Sequence, residues 1–241
     1  MPENSKSTIA IVFEHDDFLI IDKPVGVAMH SSDRQVEGLA TSPAHRLPSS
    51  IIPLMRAQLP EHDWHLVHRL DTATSGCLLL AKHKAAASAL SQLFAQRRID
   101  KFYLALSDKK PKKKQGLVKG DMQKARGGDL KLSKTLNNPA ITQYLSASHT
   151  PGVRAFLCKP HTGKTHQIRV ALKSQGAPII GDSRYGGSQA QRMYLFSYGM
   201  RFEYQSQAIE VIHLADENEH LHAQRLPSAW QTPWHMDWPV L

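Results

Sequence analysis

Thirteen residues, His68-Arg69-Leu70-Asp71-Thr72-Ala73-Thr74-Ser75-Gly76-Cys77-Leu78-Leu79-Leu80, constrain this chain more than any other stretch. An arginine and an aspartate two positions apart lead through a Thr/Ser-rich turn and a glycine into an unbroken apolar run. A run of that length without polar alternation, bounded by turn residues, predicts a buried strand over Cys77 to Ala81. A charged pair held at the mouth of a buried strand is an arrangement that active sites use. In a surface loop the same Arg69 and Asp71 would form an exposed ion pair, worth at most about 1 kcal/mol. The stretch by itself leaves both readings open.

Charge narrows the class of partner. Thirty Lys and Arg stand against 21 Asp and Glu, a formal net charge of +9, which favours a polyanion, either nucleic acid or a membrane surface. No run of about 20 apolar residues is present to span a bilayer. The polar N-terminus, Met1 to Thr8, has no apolar core of an export signal, so a soluble, cytoplasmic protein is expected. Cys77 and Cys158 are isolated in apolar surroundings and form neither a disulfide framework nor a zinc set.

In chain order, Ile9 to Phe13 and Phe18 to Ile21 read as strands joined by a turn at His15-Asp16-Asp17. The second runs into Asp22-Lys23-Pro24-Val25-Gly26, where Pro24 and Gly26 force a loop beside Lys23. Residues 31 to 50 are polar and aperiodic and read as a surface loop. Ile51 to Leu59 has helical spacing. His62, His65 and His68 recur at every third position, but Pro60 and Trp64 interrupt any helix and no further ligand completes a metal set, so no metal site is expected. Lys84 to Arg97 reads as an amphipathic helix whose basic end suits the C-terminal dipole. Lys101 to Leu106 is a strand, with Tyr103 and Ala105 on one face and Phe102, Leu104 and Leu106 on the other.

Between 108 and 137 lie ten basic residues, Lys112, Lys113 and Lys114 among them, against Asp108, Asp121 and Asp129, with four glycines interspersed. Such a run cannot neutralise itself. It reads as a basic loop, either merely solvated or contacting phosphates, and the global charge favours phosphates. Ala140 to Leu145 and Arg154 to Lys159 read as strands. A helix then follows, capped at or near Thr165 and ended by Gly176, with Thr165, Arg169 and Leu172 on one side. Taken alone, Arg169 is an ordinary surface cation and Tyr103 an ordinary core residue. Arg201 to Tyr204 and Ala208 to Leu214 read as paired strands. The Trp/Pro-rich extension over 227–241 is irregular, its tryptophans packing on the domain or stacking on bases.

Four ordered strings carry a resemblance. Lys23-Pro24-Val25-Gly26 precedes His68-Arg69-Leu70-Asp71-x-x-Thr74-Ser75-Gly76. Lys101-x-Tyr103-x-Ala105 follows, then Gly163-Lys164-Thr165-His166-Gln167-Ile168-Arg169-Val170 with Gly176-x-Pro178-Ile179-x-Gly181-Asp182-x-x-Tyr185-Gly186. Together they resemble the RluA-like family of pseudouridine synthases, which act on rRNA or tRNA, in the form without an N-terminal S4 domain. Departures from the family pattern are Lys164 for the usual Arg, Ala171 for the usual His, and Leu195-Phe196-Ser197 where Leu-His-Ala is common.

That resemblance implies isomerisation of uridine in structured RNA, with Asp71 catalytic, Tyr103 stacked on the target base and Arg169 as the guanidinium that keeps Asp71 ionised. Arg69 would fill the space vacated by the turned-out base. Lys23, His68, Lys164, Lys112, Lys113 and Lys114 are the further candidate RNA contacts, and Asp182 is taken as structural. No bond is oxidised or hydrolysed in the reaction, so no cofactor is expected, nor a protein partner, and the chain is expected to act as a monomer. The fold expected is α+β, a single pseudouridine synthase domain over 1–241 with a bent, mixed, largely antiparallel sheet, peripheral helices and a basic RNA-binding cleft. Two alternatives come from other classes. A silent RNA-binding or chaperone module would need only the lysine run. A glycosidase would need a second working carboxylate, and an acid/base nuclease a histidine pair; neither is assignable.

Overall fold

The computed structural model describes residues 8–30, 50–125, 128–214, 221 and 225–241. They gather into two compact units, Met1–Gln96 and Arg97–Leu241. The surface loop read over 31–50 lies outside the described residues except at Ser50, as does Arg126.

The first unit contains β1 (Ile11–Glu14), β2 (Phe18–Lys23), α1 (Ile51–Gln58), β3 (His65–Leu66), β4 (Ser75–Ala81) and α2 (Lys84–Ala95). β4 is its organising strand, and all seven of its residues are buried. It runs antiparallel to β2, with Phe18 opposite Ala81 and Lys23 opposite Gly76. β1 pairs with the far side of β2, and the short β3 meets β4 at Leu80 and Ala81. Burying each Leu or Ile of β2 and β4 stabilises the unit by about 1.5–3 kcal/mol. α2 is capped by His83, whose ring accepts from the Ala86 N–H, and it presses Ala86 and Leu90 inward. The helix ends at Ala95 instead of Arg97, because Arg97 takes a left-handed φ of 58° that no helix accommodates. The basic pair at 97–98 is therefore not part of its last turn.

The second unit contains β5 (Asp100–Ser107), β6 (Gln115–Gly120), β7 (Met122–Lys124), β8 (Leu130–Leu132), β9 (Ala140–Thr150), β10 (Val153–Pro160), α3 (Gln167–Ser174), β11 (Leu195–Tyr204) and β12 (Gln207–Ile212). Its sheet runs β12-β11-β5-β10-β9-β6, every ladder antiparallel. β5 alternates as its sequence predicts. Phe102, Leu104 and Leu106 enter a core with Leu145, Leu157, Phe196 and Trp230. The Trp/Pro-rich extension covers that face: Trp230 is buried, and the rings of Trp234 and Trp238 lie 6.2 and 6.1 Å from Phe102. Two short 3-10 turns, Ser228–Gln231 and Pro233–His235, are its only regular pieces among the described residues.

The basic segment is a loop only in part: 108–114 and 133–139 carry no strand, but the stretch between them is built of strands. β6 pairs with β9 along its length, and β7 and β8 form a hairpin. Its base is tied at Asp121, whose N–H donates to the Thr135 carbonyl and whose own carbonyl accepts from Ser133. The Asp121 carboxylate accepts from the N–H groups of Asn137 and Asn138, at 3.0 and 2.8 Å. A side-chain hydrogen bond from Thr135, reinforced by these two, holds that carboxyl below its ordinary range. Charge patterning misled because screening over about 8 Å weakens repulsion between exposed lysines, whereas ladder hydrogen bonds are kept. With three helices and antiparallel ladders among the described residues, the class is α+β, as expected.

Candidate active site

The sequence around Asp71 builds a loop held from beneath. Lys23 sits at the end of β2, wholly buried, and its ammonium donates to the carbonyls of Val27 at 2.8 Å, Pro24 at 2.9 Å and Thr72 at 3.4 Å. Expected as an RNA contact, Lys23 is instead the peg of this loop. A buried ammonium needs hydrogen-bond acceptors in place of water, and three carbonyls converge to supply them. The Gly26 N–H donates to the Thr72 carbonyl at 2.9 Å, joining the Lys-Pro-x-Gly loop to the aspartate loop. The turn is closed by the Thr74 N–H on the Asp71 carbonyl at 3.0 Å. Gly76 then enters β4 with φ 102°, a conformation that β-carbon crowding denies to other residues.

Leu70 and Thr74 are buried on either side of Asp71, which is itself partly exposed. Main-chain anchors therefore fix the loop and leave the carboxylate at its surface. His68 is fastened as well. Its Nε2 accepts from the Leu79 N–H at 2.9 Å, and its ring stacks on Phe94 at 4.5 Å, so this edge of the imidazole fastens the motif to β4 and α2. That edge serves the fold, while the ring as a whole is half-buried. Arg69 beside it is exposed. The neighbouring histidines have local partners, His62 with Glu61 and His65 with Asp63.

In the second unit Tyr103 lies in the middle of β5, opposite Cys158 on one neighbour and Ser197 on the other, with 8% of its surface exposed. Burial pushes the thiols of Cys77 and Cys158 far above their ordinary range, which makes them inert packing groups.

Arg169 is buried on α3, and its partner was not foreseen. Nε donates to Asp182 Oδ2 and Nη2 to Oδ1, both at 2.9 Å, a two-pronged clamp between side chains 6% and 1% exposed. Asp182 also accepts from the Tyr185 N–H at 3.2 Å, which caps the 3-10 turn Ser183–Tyr185. The guanidinium lies over the Tyr185 ring, 5.0 Å from its centre. Asp182 is thus structural in a specific sense: it fixes the plane of Arg169. Gly181 and Gly187 make room for this corner, since a β-carbon on either would overlap the carbonyl of Arg192 or Ile179.

The start of α3 also departs from expectation. Thr165 lies outside the helix and is exposed; the residue before the helix is His166, with φ 55° and no side-chain cap. A left-handed histidine costs about 1–2 kcal/mol. Gln167 offsets this cost. Its buried amide accepts from the Thr162 hydroxyl at 2.7 Å and the Lys164 N–H at 3.0 Å, and donates to the Ile141 carbonyl and the Thr142 hydroxyl, both at 2.9 Å. One side chain thereby locks the 162–164 turn to β9. Lys164 donates to Asn138 Oδ1 at 2.7 Å and borders a polar pocket with Asp121, Gln123 and Asn137. Lys112 donates to the Ser174 carbonyl at 2.9 Å and so caps α3; like Lys113 and Lys114 it is exposed. His166, Gln167 and Tyr185 all lie within the strings quoted above, but only the tertiary structure assigns them work.

Among the described residues no group of three His, Cys, Asp or Glu could hold a metal ion, and no helix is long and apolar enough to cross a membrane.

Comparison with known proteins adds independent support. Residues 17–174 match the family model described as RNA pseudouridylate synthase. An uncharacterized RNA pseudouridine synthase of Haemophilus influenzae is 45% identical over 213 residues, 88% of this chain and 89% of that protein. Ribosomal large subunit pseudouridine synthase C of Rickettsia bellii is 34% identical over 187 residues; the match takes in 76% of this chain and 58% of that protein. Among solved structures, human RNA Pseudouridylate Synthase Domain Containing 1 superposes with a TM-score of 0.70 at 26% identity, covering 89% of this chain and 86% of the human one. With the family pattern running through both the Asp71 loop and the Arg169 helix, the chain belongs to the RNA pseudouridylate synthase family, enzymes that isomerise uridine in RNA to pseudouridine.

Proposed function

We propose that this RNA pseudouridine synthase modifies uridine in the RNA of the large ribosomal subunit, acting as a monomer in the cytoplasm, with Asp71 as the reacting carboxylate. The observation that carries the assignment is the Asp71 loop: a carboxylate at the surface of a turn whose main chain is pegged by a buried lysine. Preorganisation of that kind costs nothing at the moment of reaction. Support for the target comes from relatives named for the large subunit, one of them 34% identical, and from the net charge of +9.

In the reaction the N1–C1′ bond breaks, the uracil rotates and a C5–C1′ bond forms; C5 loses a proton and N1 gains one, so nothing is added or removed overall. Asp71 either attacks C1′ or takes the C2′ proton, and both routes need its anionic form. Turning the base out of a structured RNA costs roughly a few kcal/mol. A face of Tyr103 against the uracil returns about 1–3 kcal/mol of this. Arg69, exposed beside the loop, fills the space the base leaves. Arg169 is the guanidinium of the reacting centre, and Lys164 a phosphate contact.

Sequencing pseudouridines in total RNA from cells with and without the protein tests the target. One or a few large-subunit positions should revert to uridine. Loss confined to tRNA would overturn the target, and an unchanged map would favour a silent RNA-binding module.

The exposed lysines make a separate prediction. Neutralising Lys109, Lys110, Lys113 and Lys114 together, with Lys112 kept because it caps α3, should weaken RNA binding and flatten its salt dependence. Every phosphate that a lysine no longer neutralises should lower the log–log slope by roughly 0.7–0.9. An unchanged slope would mean that water alone solvates them.

A further inference from the structure

Tyr185 stands where the Arg169 clamp meets the basic hairpin. Its side chain is almost wholly buried, with its ring beneath the Arg169 guanidinium and 5.4 Å from the Lys173 ammonium. Its N–H donates to Asp182 Oδ1, the same oxygen that takes Arg169 Nη2. Its hydroxyl accepts from the N–H of Leu130, the first residue of β8, at 3.2 Å. The phenolic proton can then be given to His166 Nδ1, 2.9 Å away. Burial raises the phenol above its ordinary range, so that proton stays in place at neutral pH.

Away from its base at Asp121, few hydrogen bonds hold the hairpin among the described residues. β7 and β8 have three residues each, and a two-stranded ribbon of that length is marginal by itself. Arg184, next to Tyr185, supplies the other mooring, through Asp129 Oδ1 at 2.9 Å and the Gly128 carbonyl at 3.0 Å. The hairpin carries exposed Lys124 and Lys131. Where it sits therefore decides where those two charges meet a phosphate.

We propose that Tyr185 is a positioning residue for the isomerisation, its ring aligning Arg169 and its hydroxyl mooring the basic hairpin to the same point. The ring half rests on the assignment of Arg169 above; the hydroxyl half does not. A ring under a guanidinium limits its tilt as well as adding cation–π attraction. A hydroxyl bonded to β8 sets substrate grip instead. The two parts of one side chain thus act on different kinetic constants.

The test is steady-state kinetics of purified full-length Tyr185→Phe, Tyr185→Leu and Asp129→Asn on an RNA fragment carrying a uridine that the cellular map identifies, with Tm recorded for each. Tyr185→Phe keeps the ring and its packing; it should raise KM about 3- to 10-fold, with a smaller change in kcat. Asp129→Asn, which weakens the Arg184 mooring by removing its charge, should shift KM in the same direction. Tyr185→Leu should add a fall in kcat of at least about 10-fold. An unchanged KM in Tyr185→Phe would overturn the mooring, and an unchanged kcat in Tyr185→Leu would overturn the alignment. Losses in kcat and KM that only track Tm across all three variants would overturn both. Should Arg169→Lys retain full kcat, the assignment of Arg169 fails instead, and the KM shift in Tyr185→Phe still reports on the hairpin.

Discussion

Asp71→Asn is expected to abolish pseudouridine formation while leaving RNA binding and thermal stability close to those of the parent protein. The hydrogen bonds that shape the loop use the main-chain carbonyls of Asp71 and Thr72, the ammonium of Lys23 and the N–H groups of Gly26 and Thr74. An amide at position 71 disturbs none of these. It can neither attack C1′ nor accept a proton from C2′, so the single-turnover rate should fall by about 10⁴-fold or more, the scale seen when a catalytic nucleophile or base is removed. Rates measured with enzyme in excess over RNA, beside equilibrium binding of the same RNA, separate the two effects. Turnover within tenfold of the parent in a clean Asn preparation would remove Asp71 from the chemistry.

Removing the partner of Arg169 should have the second largest effect, this time on stability as well as on rate. Asp182→Ala leaves a guanidinium buried without its carboxylate, and breaking a buried pair from one side costs about 3–5 kcal/mol. It also removes the acceptor that caps the turn at Tyr185, a further contribution of about 0.5–2 kcal/mol. The double variant Arg169→Leu with Asp182→Leu should recover much of the lost stability, because apolar side chains of similar volume replace a buried pair at little cost. Activity should not return with it. Urea unfolding of Arg169→Leu, Asp182→Leu and the double gives the coupling directly. A single variant as stable as the parent would mean that the pair is better solvated than its burial indicates. A double variant that regains both stability and activity would show the pair to be scaffolding alone.

Much of the first unit could be read from residue order, because its signals are local. The apolar run after Gly76 has no polar alternation and becomes a strand buried on both faces. The alternation of Phe102, Leu104 and Leu106 against Tyr103 and Ala105 likewise survives into the sheet, since strand pleating puts neighbours on opposite faces whatever the surroundings. β11 was read short. It begins at Leu195, and its register shifts between Ser197 and Gly199, where polar and small residues hide the strand pattern.

What the sequence determined by itself is the family, since four motifs stand in an order and spacing that few chains share. The tertiary structure decided which charged groups face inward. Lys23 and Lys113 are alike in sequence, each a lysine next to flexible or polar neighbours. One is buried because three carbonyls separated along the chain converge on its ammonium, and the other is exposed. Arg169 and Asp182 are 13 positions apart, with no periodicity linking them, and only the turn through Gly181 brings them within 2.9 Å. Within the lysine-rich segment β6 became a strand because β9 offered a ladder to pair with, and β7 and β8 because they pair with each other. Burial of charge and strand pairing both depend on partners distant in the chain, and local composition carries no record of where those partners will be.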